Sequence, residues 1–325
     1  MSGQNSWSEK YRPKTLDEIQ GQEEVIKLLK SSLTSGLPNV LFFGPPGSGK
    51  TTSILAVARQ LFKSHFKERI LELNASNQRG IEMIRTTLKD YANQNVSHIE
   101  GIPDYKLIIL DECDALTIEA QSALRRIMED FTKNTRFCLI CNYISKIIAP
   151  ISSRCMKFRF SSLNSELINQ RLEMICKNEG FLITNEAINS LSILSNGDLR
   201  YAIGLLQILS QGISHSVTSN DISNIAGIVP SKEITEIISE CKKGNVNSIY
   251  LKCLSLVVEL NYSADSILNQ LRDIFIENNV GLSEINRCKM LQLIGEADAA
   301  LIDKTDPLYT ISSLLCSLIK FYKNL

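Results

Sequence analysis

Gly44-Pro45-Pro46-Gly47-Ser48-Gly49-Lys50-Thr51 lies between the apolar run 39–43 and a segment whose apolar residues recur at helical spacing. In that strand-to-helix setting the pattern G-x-x-x-x-G-K-[ST] reads as a phosphate-cradling turn. Glycines let the backbone bend so that its N–H groups face phosphate oxygens, and the helix that follows adds its positive end. Lys50 would neutralise the β- and γ-phosphates, the Thr51 hydroxyl would bind Mg²⁺, and Thr52 belongs to the same nucleotide-binding turn. A strand feeding such a turn and then a helix is the unit of a parallel sheet, so the first half of the chain is expected to be α/β.

Working outward, five strands are expected: 39–43, 70–74, 106–110, 136–141 and 155–160. The first four are short and mostly apolar, as strands covered on both faces should be. The last alternates Met156, Phe158 and Phe160 with Lys157 and Arg159, so one of its faces should be polar. Between them Ile81, Ile84, Leu88 and Tyr91, and then Ala120, Leu124 and Ile127, mark two amphipathic helices. After Phe160 the strand signal stops. Helices are expected near 166–179, 185–195 and 199–211, then a second helical block from about Ser231. Lys242-Lys243-Gly244 marks a helix stop there, and a final helix is expected near 308–321. Boundaries near Ser161 and Ile228 divide the chain into three.

Other candidate residues sit at element ends. Asp111 and Glu112 close an apolar strand, where ligands of open α/β sheets bind. Asp111 suits the Mg²⁺ shell as a hard oxygen ligand, and Glu112, one step further, suits the activation of an attacking water. Asn142 follows the fourth strand, within reach of a γ-phosphate. Arg154, in Ser153-Arg154-Cys155, sits on a surface turn, where its guanidinium can serve as an arginine finger. Arg200 falls in the first turn of a helix capped by Asp198; a cation there opposes the helix dipole and hints at a nearby anion.

Composition narrows the function classes. The chain has 325 residues, 44% hydrophobic and 22% charged, so it resembles an ordinary globular protein of two or three domains rather than a disordered or collagenous one. No apolar run approaches a membrane span, and the first ten residues carry neither a hydrophobic signal core nor an Arg-rich transit pattern. Nine cysteines without a secretory signal read as reduced thiols. Cys138 and Cys141 form a C-x-x-C pair inside an expected strand, where positions three apart face opposite ways and cannot share a metal. Net charge is zero, yet residues 1–160 carry 22 basic and 17 acidic side chains, a mild bias toward an anionic ligand on that half.

Taken in order, the phosphate loop, the Asp-Glu strand, Asn142, Ser-Arg-Cys and Gly197-Asp198-Leu199-Arg200 resemble the AAA+ ATPases. With Trp7-Ser-Glu-Lys-Tyr-Arg-Pro13 and Leu73-Asn-Ala-Ser-Asn-Gln-Arg-Gly80, the chain is similar to the small subunits of replication factor C, the sliding-clamp loader of eukaryotes and archaea. The resemblance covers about residues 5–210, and the last hundred residues match in length and helicity only. It implies an AAA+ nucleotide-binding α/β domain over 1–160, a helical lid over 161–227 and a helical collar over 228–325 that forms a ring. It further implies ATP and Mg²⁺ as cofactors, with Tyr11, Arg12 and Pro13 on the adenine side. Gly44, Pro45, Pro46, Gly47, Ser48, Gly49, Lys50, Thr51 and Thr52 would cradle the phosphates. Thr51 and Asp111 would hold the metal, Glu112 would be the base, Asn142 a first sensor and Arg200 a second. Arg154 would act in trans on a neighbour's ATP, and Asn74 would restrain Glu112 until DNA arrives.

Arg79, Gly80, Ile81, Arg85 and Lys146 would meet the DNA backbone, which suits loading at any sequence because phosphates carry no base code. The implied partners are the other subunits of a hetero-pentamer, the sliding clamp (proliferating cell nuclear antigen) and primer-template DNA; no membrane is implied, and the location would be the nucleus. There are departures from the family pattern. Asp111-Glu-Cys-Asp114 replaces the usual D-E-A-D, Asn77-Gln78 stands where many members have Asp-Glu, and Tyr201 replaces a common second arginine. The cysteine-rich zinc module of bacterial loader subunits is missing from this sequence. Two other readings remain open from sequence: a structural ring member that binds nucleotide with little turnover, and another AAA+ remodeller acting on protein or branched DNA.

Overall fold

Apolar side chains alternate along each central strand, and the consequence is a sheet with two buried faces. The computed structural model describes residues 6–76, 82, 84–212, 215–277 and 281–323. Five parallel strands, β1 (Val40–Phe43), β2 (Ile70–Asn74), β3 (Lys106–Asp111), β4 (Thr135–Cys141) and β5 (Met156–Arg159), lie in the order β2-β3-β4-β1-β5. Val40, Phe42, Leu107, Ile109, Cys138 and Ile140 point to one face, under helices α1 (Glu23–Ser35) and α2 (Lys50–Phe62). Leu41, Ile108, Leu110, Phe137, Leu139 and Cys141 point to the other, against α3 (Ile118–Asp130). Cys138 and Cys141 therefore lie on opposite faces, as their spacing requires. Phe42 is fully buried beside the rings of Phe158 and Phe160, with centroids 5.4 and 5.0 Å away. Burying a phenylalanine is worth about 2 kcal/mol, so this one side chain ties β1 firmly to β5 and the chain beyond it.

The sheet's edges depart from the sequence expectation. The sequence reads β2 as covered like its neighbours; it is an edge strand, only partly buried, because among the described residues no strand pairs beyond it. On β5 the alternation holds for Phe158 and Phe160, 3% and 1% exposed, but Met156 is 44% exposed at the strand's start. The helix expected through Ile81 and Tyr91 is a π-helical turn, Ile84–Leu88, running into Lys89–Asn93, and Ile81 lies outside the described residues.

Helices α4 (Ser165–Glu179), α5 (Asn185–Leu194) and α6 (Leu199–Gly212) follow, and they belong to the same compact unit as the sheet, residues 1–216. Their starts and stops follow local chemistry: the Thr184 side chain accepts the Ala187 N–H, and Gly180 takes the left-handed conformation that ends α4.

A second compact unit, residues 217–325, has only helices as its regular elements among the described residues, apart from an isolated bridge at Val217. It comprises α7 (Ser219–Ile225), α8 (Ser231–Lys243), α9 (Val246–Leu254), α10 (Ala264–Ile276), α11 (Glu284–Ile302) and α12 (Pro307–Lys323). Gly244, left-handed at φ 75°, ends α8 where Lys242-Lys243-Gly244 marked a stop. The core of this unit gathers Ile237, Leu271, Phe275, Met290, Leu315 and Leu318, each at most 1% exposed.

Candidate nucleotide-binding site

Parallel strands that stop in register leave their C-terminal ends along one rim, and polar residues flagged in the sequence stand on it. Asn74 ends β2, Asp111 ends β3, and Asn142 follows β4, while the phosphate loop leaves β1. One cleft is lined by Pro46 to Thr52, Asp111, Glu112 and Asn142, by Tyr11 to Pro13, and by Arg171, Arg200 and Ile203 of the helices beyond the sheet.

At the phosphate end Lys50 is 8% exposed. Its ammonium donates to the Gly44 and Pro45 carbonyls, both at 2.7 Å, and to Asn142 Oδ1 at 3.0 Å. Gly44 and Pro45 thus serve the loop through their carbonyls and do not line the cleft. Burial pushes the Lys50 pKa down from its ordinary value, and Asp111 opposes that shift. The Thr51 hydroxyl donates to Asp111 Oδ2 at 2.7 Å. These two hard oxygen donors, side by side next to a lysine, are the donor set that Mg²⁺ prefers.

Glu112 sits in the left-handed region, φ 53°, and its N–H donates to Asp111 Oδ1 at 2.8 Å. A non-glycine residue there costs about 1 kcal/mol, the kind of strain that persists where neighbours hold it. Asn74 is one holder: its amide Nδ2 donates to Glu112 Oε1 at 3.2 Å, while its Oδ1 accepts from the Ser76 N–H and hydroxyl. Asp114 Oδ2 accepts the N–H groups of Asn142 and Tyr143 at 3.2 Å each, so the Asp-Glu-Cys-Asp run also positions the residue after β4.

The loop touches the lid-side helices directly. Gly47 has φ 67°, and a Cβ there would come within 2.0 Å of Asp198 Oδ1, so only glycine fits. That same Asp198 oxygen caps α6 by accepting the N–H of Arg200 at 2.9 Å and of Tyr201 at 3.1 Å.

The opposite end of the cleft is assembled from distant stretches. The Trp7 N–H donates to Gln207 Oε1 at 2.9 Å; Lys10 and the Tyr11 hydroxyl both donate to Glu179 Oε1 at 2.7 Å. Arg171 Nη2 donates to the Tyr11 carbonyl at 2.6 Å. The bonds from Lys10 and Tyr11 hold the Glu179 carboxyl below its usual range, and burial lowers the pKa of Arg171. Gln22, 4% exposed, donates to the Ser48 and Ser161 carbonyls and so pins the loop to the chain leaving β5.

The structure therefore gathers Tyr11, Arg12, Pro13, Pro46, Gly47, Ser48, Gly49, Lys50, Thr51, Thr52, Asp111, Glu112, Asn142 and Arg200 on one cleft. Arg154 is not among the lining residues; its guanidinium bonds Glu129 and the Pro150 carbonyl. Lys146 is exposed on a short turn, its ammonium over the Tyr143 ring. Arg79, Gly80 and Ile81 lie outside the described residues, and Arg85 is described only as part of the π-helical turn. Sequence reasoning missed Arg171, Glu179, Gln22 and the lid contact of Gly47. The first three have no local pattern, whereas a glycine at the centre of the loop was a partial signal for the fourth.

Comparison with known proteins matches this architecture segment by segment. The chain fits the family model "ATPase family associated with various cellular activities" over residues 40–163, the replication factor C-type lid model over 170–210 and the replication factor C C-terminal domain over 229–317. It is 42% identical to replication factor C subunit 4 of Arabidopsis thaliana, covering 98% of this chain and 97% of that protein. It is 43% identical to replication factor C subunit 4 of Homo sapiens, covering 97% and 88%. It is also 42% identical to the replication factor C small subunit of Thermofilum pendens, covering 96% and 95%. Among solved structures, the Thermotoga maritima RuvB Holliday junction branch migration motor superposes with a TM-score of 0.51 at 19% identity, over 80% of this chain and 91% of that one. That likeness carries the fold alone. The phosphate loop, the Asp-Glu strand end and the lid contacts are thus those of an AAA ATPase domain, and the chain belongs to the replication factor C small-subunit family.

Proposed function

We propose that this clamp-loader ATPase subunit binds ATP and Mg²⁺ in the cleft at the strand ends, and that the hydrolysis it supports is completed by a neighbouring subunit. The observation that carries the reading is the convergence of Lys50, the Thr51–Asp111 pair, Asn142 and the strained Glu112 on one rim. Lys50 now spends its donors on two neutral carbonyls and an amide oxygen. Phosphate oxygens are charged acceptors, and charge-assisted hydrogen bonds are about twice as strong as neutral ones, so a triphosphate draws the ammonium off those partners. Thr51 and Asp111 would hold the metal, which supplies charge neutralisation at the phosphates when bound. Asn142 orients the γ-phosphate beside Lys50, Arg200 adds a second positive charge from the lid side, and Tyr11, Arg12 and Pro13 wall the adenine.

Glu112 is the general base, taking a proton from the attacking water. Its contact with Asn74 restrains it, because a carboxylate engaged by an amide is drawn toward β2 and less free to meet the water. Release of that contact when DNA binds would link turnover to loading. Arg154, which lies off this chain's own cleft, serves the ATP of an adjoining subunit in the hetero-pentamer.

The assembly acts on the sliding clamp, proliferating cell nuclear antigen, and on primer-template DNA, with Arg79, Gly80, Ile81, Arg85 and Lys146 along the phosphate backbone, and it works in the nucleus. The working domains are 1–160 for nucleotide, 161–227 for the lid and 228–325 for the collar. Arg154→Ala tests the division of labour. The isolated chain should keep its ATP affinity within about twofold, while the assembled pentamer loses the turnover of the neighbouring site, since arginine fingers contribute about 10³-fold or more. A large loss of affinity in the isolated chain would count against action in trans.

A further inference from the structure

We propose that Glu129 is the positioning residue for the Arg154 guanidinium, fixing where it stands for a neighbouring subunit's nucleotide; this rests on the reading of Arg154 given above. Arg154 Nη2 lies 2.5 Å from Glu129 Oε1, and its Nη1 donates to the Pro150 carbonyl at 2.7 Å. The same Glu129 oxygen accepts from Arg125 Nε at 3.0 Å, one helical turn earlier on α3. Glu129 therefore stands between two arginines on a rigid helix, and the arginine on the turn leans against it.

Three physical points make this a brace rather than a trap. First, a guanidinium has five N–H donors, and the contacts to Glu129 and the Pro150 carbonyl use its two terminal nitrogens, leaving further N–H groups for a phosphate. Second, Arg125 already balances the carboxylate, so the Arg125–Glu129–Arg154 group retains a net positive charge toward an approaching anion. Third, an arginine side chain carries about 2 kcal/mol of rotamer entropy, and anchoring it beforehand removes that cost from the moment of phosphoryl transfer. Side-chain exposures of 39% for Arg154 and 36% for Glu129 leave the group open to a partner. The hydrogen bond from Arg125, with the charges of Arg154 and Arg126 nearby, holds the Glu129 carboxyl below its usual range, so it stays ionised at neutral pH.

The test uses the assembled hetero-pentamer with clamp and primed DNA, following turnover at the site that Arg154 serves. Glu129→Gln should lower kcat there about two- to fivefold with KM unchanged, the size expected for loss of alignment by a partly exposed ion pair. Glu129→Asp, which keeps the charge, should recover part of that loss. In an Arg154→Ala background Glu129→Gln should add nothing, because the two act as one unit. Unchanged or faster turnover in Glu129→Gln, no recovery in Glu129→Asp, or a further loss on top of Arg154→Ala would overturn the proposal. A silent Arg154→Ala would instead overturn the role of Arg154 itself, and the brace with it.

Discussion

The two ends of the nucleotide cleft are built by opposite means. At the phosphate end, Lys50 and Thr51 open α2 and bond Asn142 and Asp111, at the ends of β4 and β3, at 3.0 and 2.7 Å. At the other end, residues 7–13 are tied to side chains more than 150 positions away: Gln207 and Glu179 accept hydrogen bonds from Trp7, Lys10 and Tyr11, and Arg171 donates to the Tyr11 carbonyl. The first end is fixed by sheet register, so its parts cannot move independently. The second is a strap with several redundant ties, and it joins that end of the cleft to the helices beyond the sheet. A cleft of this design should be intolerant of change where phosphate binds and forgiving where the base binds, while the strap reports on lid position.

The sharpest way to break that contrast is Lys50→Ala. It removes the one cation in the loop, and nucleotide affinity should fall at least about 100-fold in a fluorescent-nucleotide titration. Near-normal binding would mean that the loop does not carry the triphosphate. Arg171→Ala should have a middle effect, about five- to tenfold weaker binding, because the Tyr11 carbonyl loses a charged donor while the other ties remain. A loss as large as that of Lys50→Ala would show that the strap is not redundant.

Glu179→Gln should have the smallest effect, below about threefold on affinity, as expected for a partly exposed pair. Its readout is Trp7, the only tryptophan in the chain, whose backbone N–H bonds Gln207 of α6 and which lines one hollow with Lys10 and Glu179. The Glu179 carboxyl is held below its ordinary 4.5, so its contribution is present above that value and lost as pH falls through the lowered pKa. Lys10 is raised above its ordinary 10.5, so its contribution is present below that value and lost as pH rises further. Trp7 emission should therefore stay flat between about pH 5 and 10 and change outside that window. A transition near pH 7 would place a different group at this contact.

How much was legible in the sequence follows the same contrast. The phosphate loop, the Asp111-Glu112 strand end and Asn142 were legible because each depends on local backbone geometry: a turn, a strand terminus, a residue just past it. The α8 stop at Gly244 was legible for the same reason. The partial exposure of β2 was not, since whether a strand is central or at the edge depends on which strands pair, and an apolar run reads alike in both places. Nor was the tie between Asn39 and β4, where the Asn39 side chain accepts the Phe137 N–H across 98 positions.

By itself, then, the sequence determined the α/β class, the phosphate turn and the identity of the groups at the strand ends, because periodicity and short motifs act within one or two turns of chain. Only the tertiary structure decided that Gly47 meets Asp198, that Arg171 and Glu179 hold the segment around Tyr11, and that Glu129 pairs with Arg154. Those contacts join residues that neither spacing nor propensity relates. They exist because buried apolar side chains on both faces of one sheet fix where each helix lies, and so which polar side chains come within hydrogen-bonding reach.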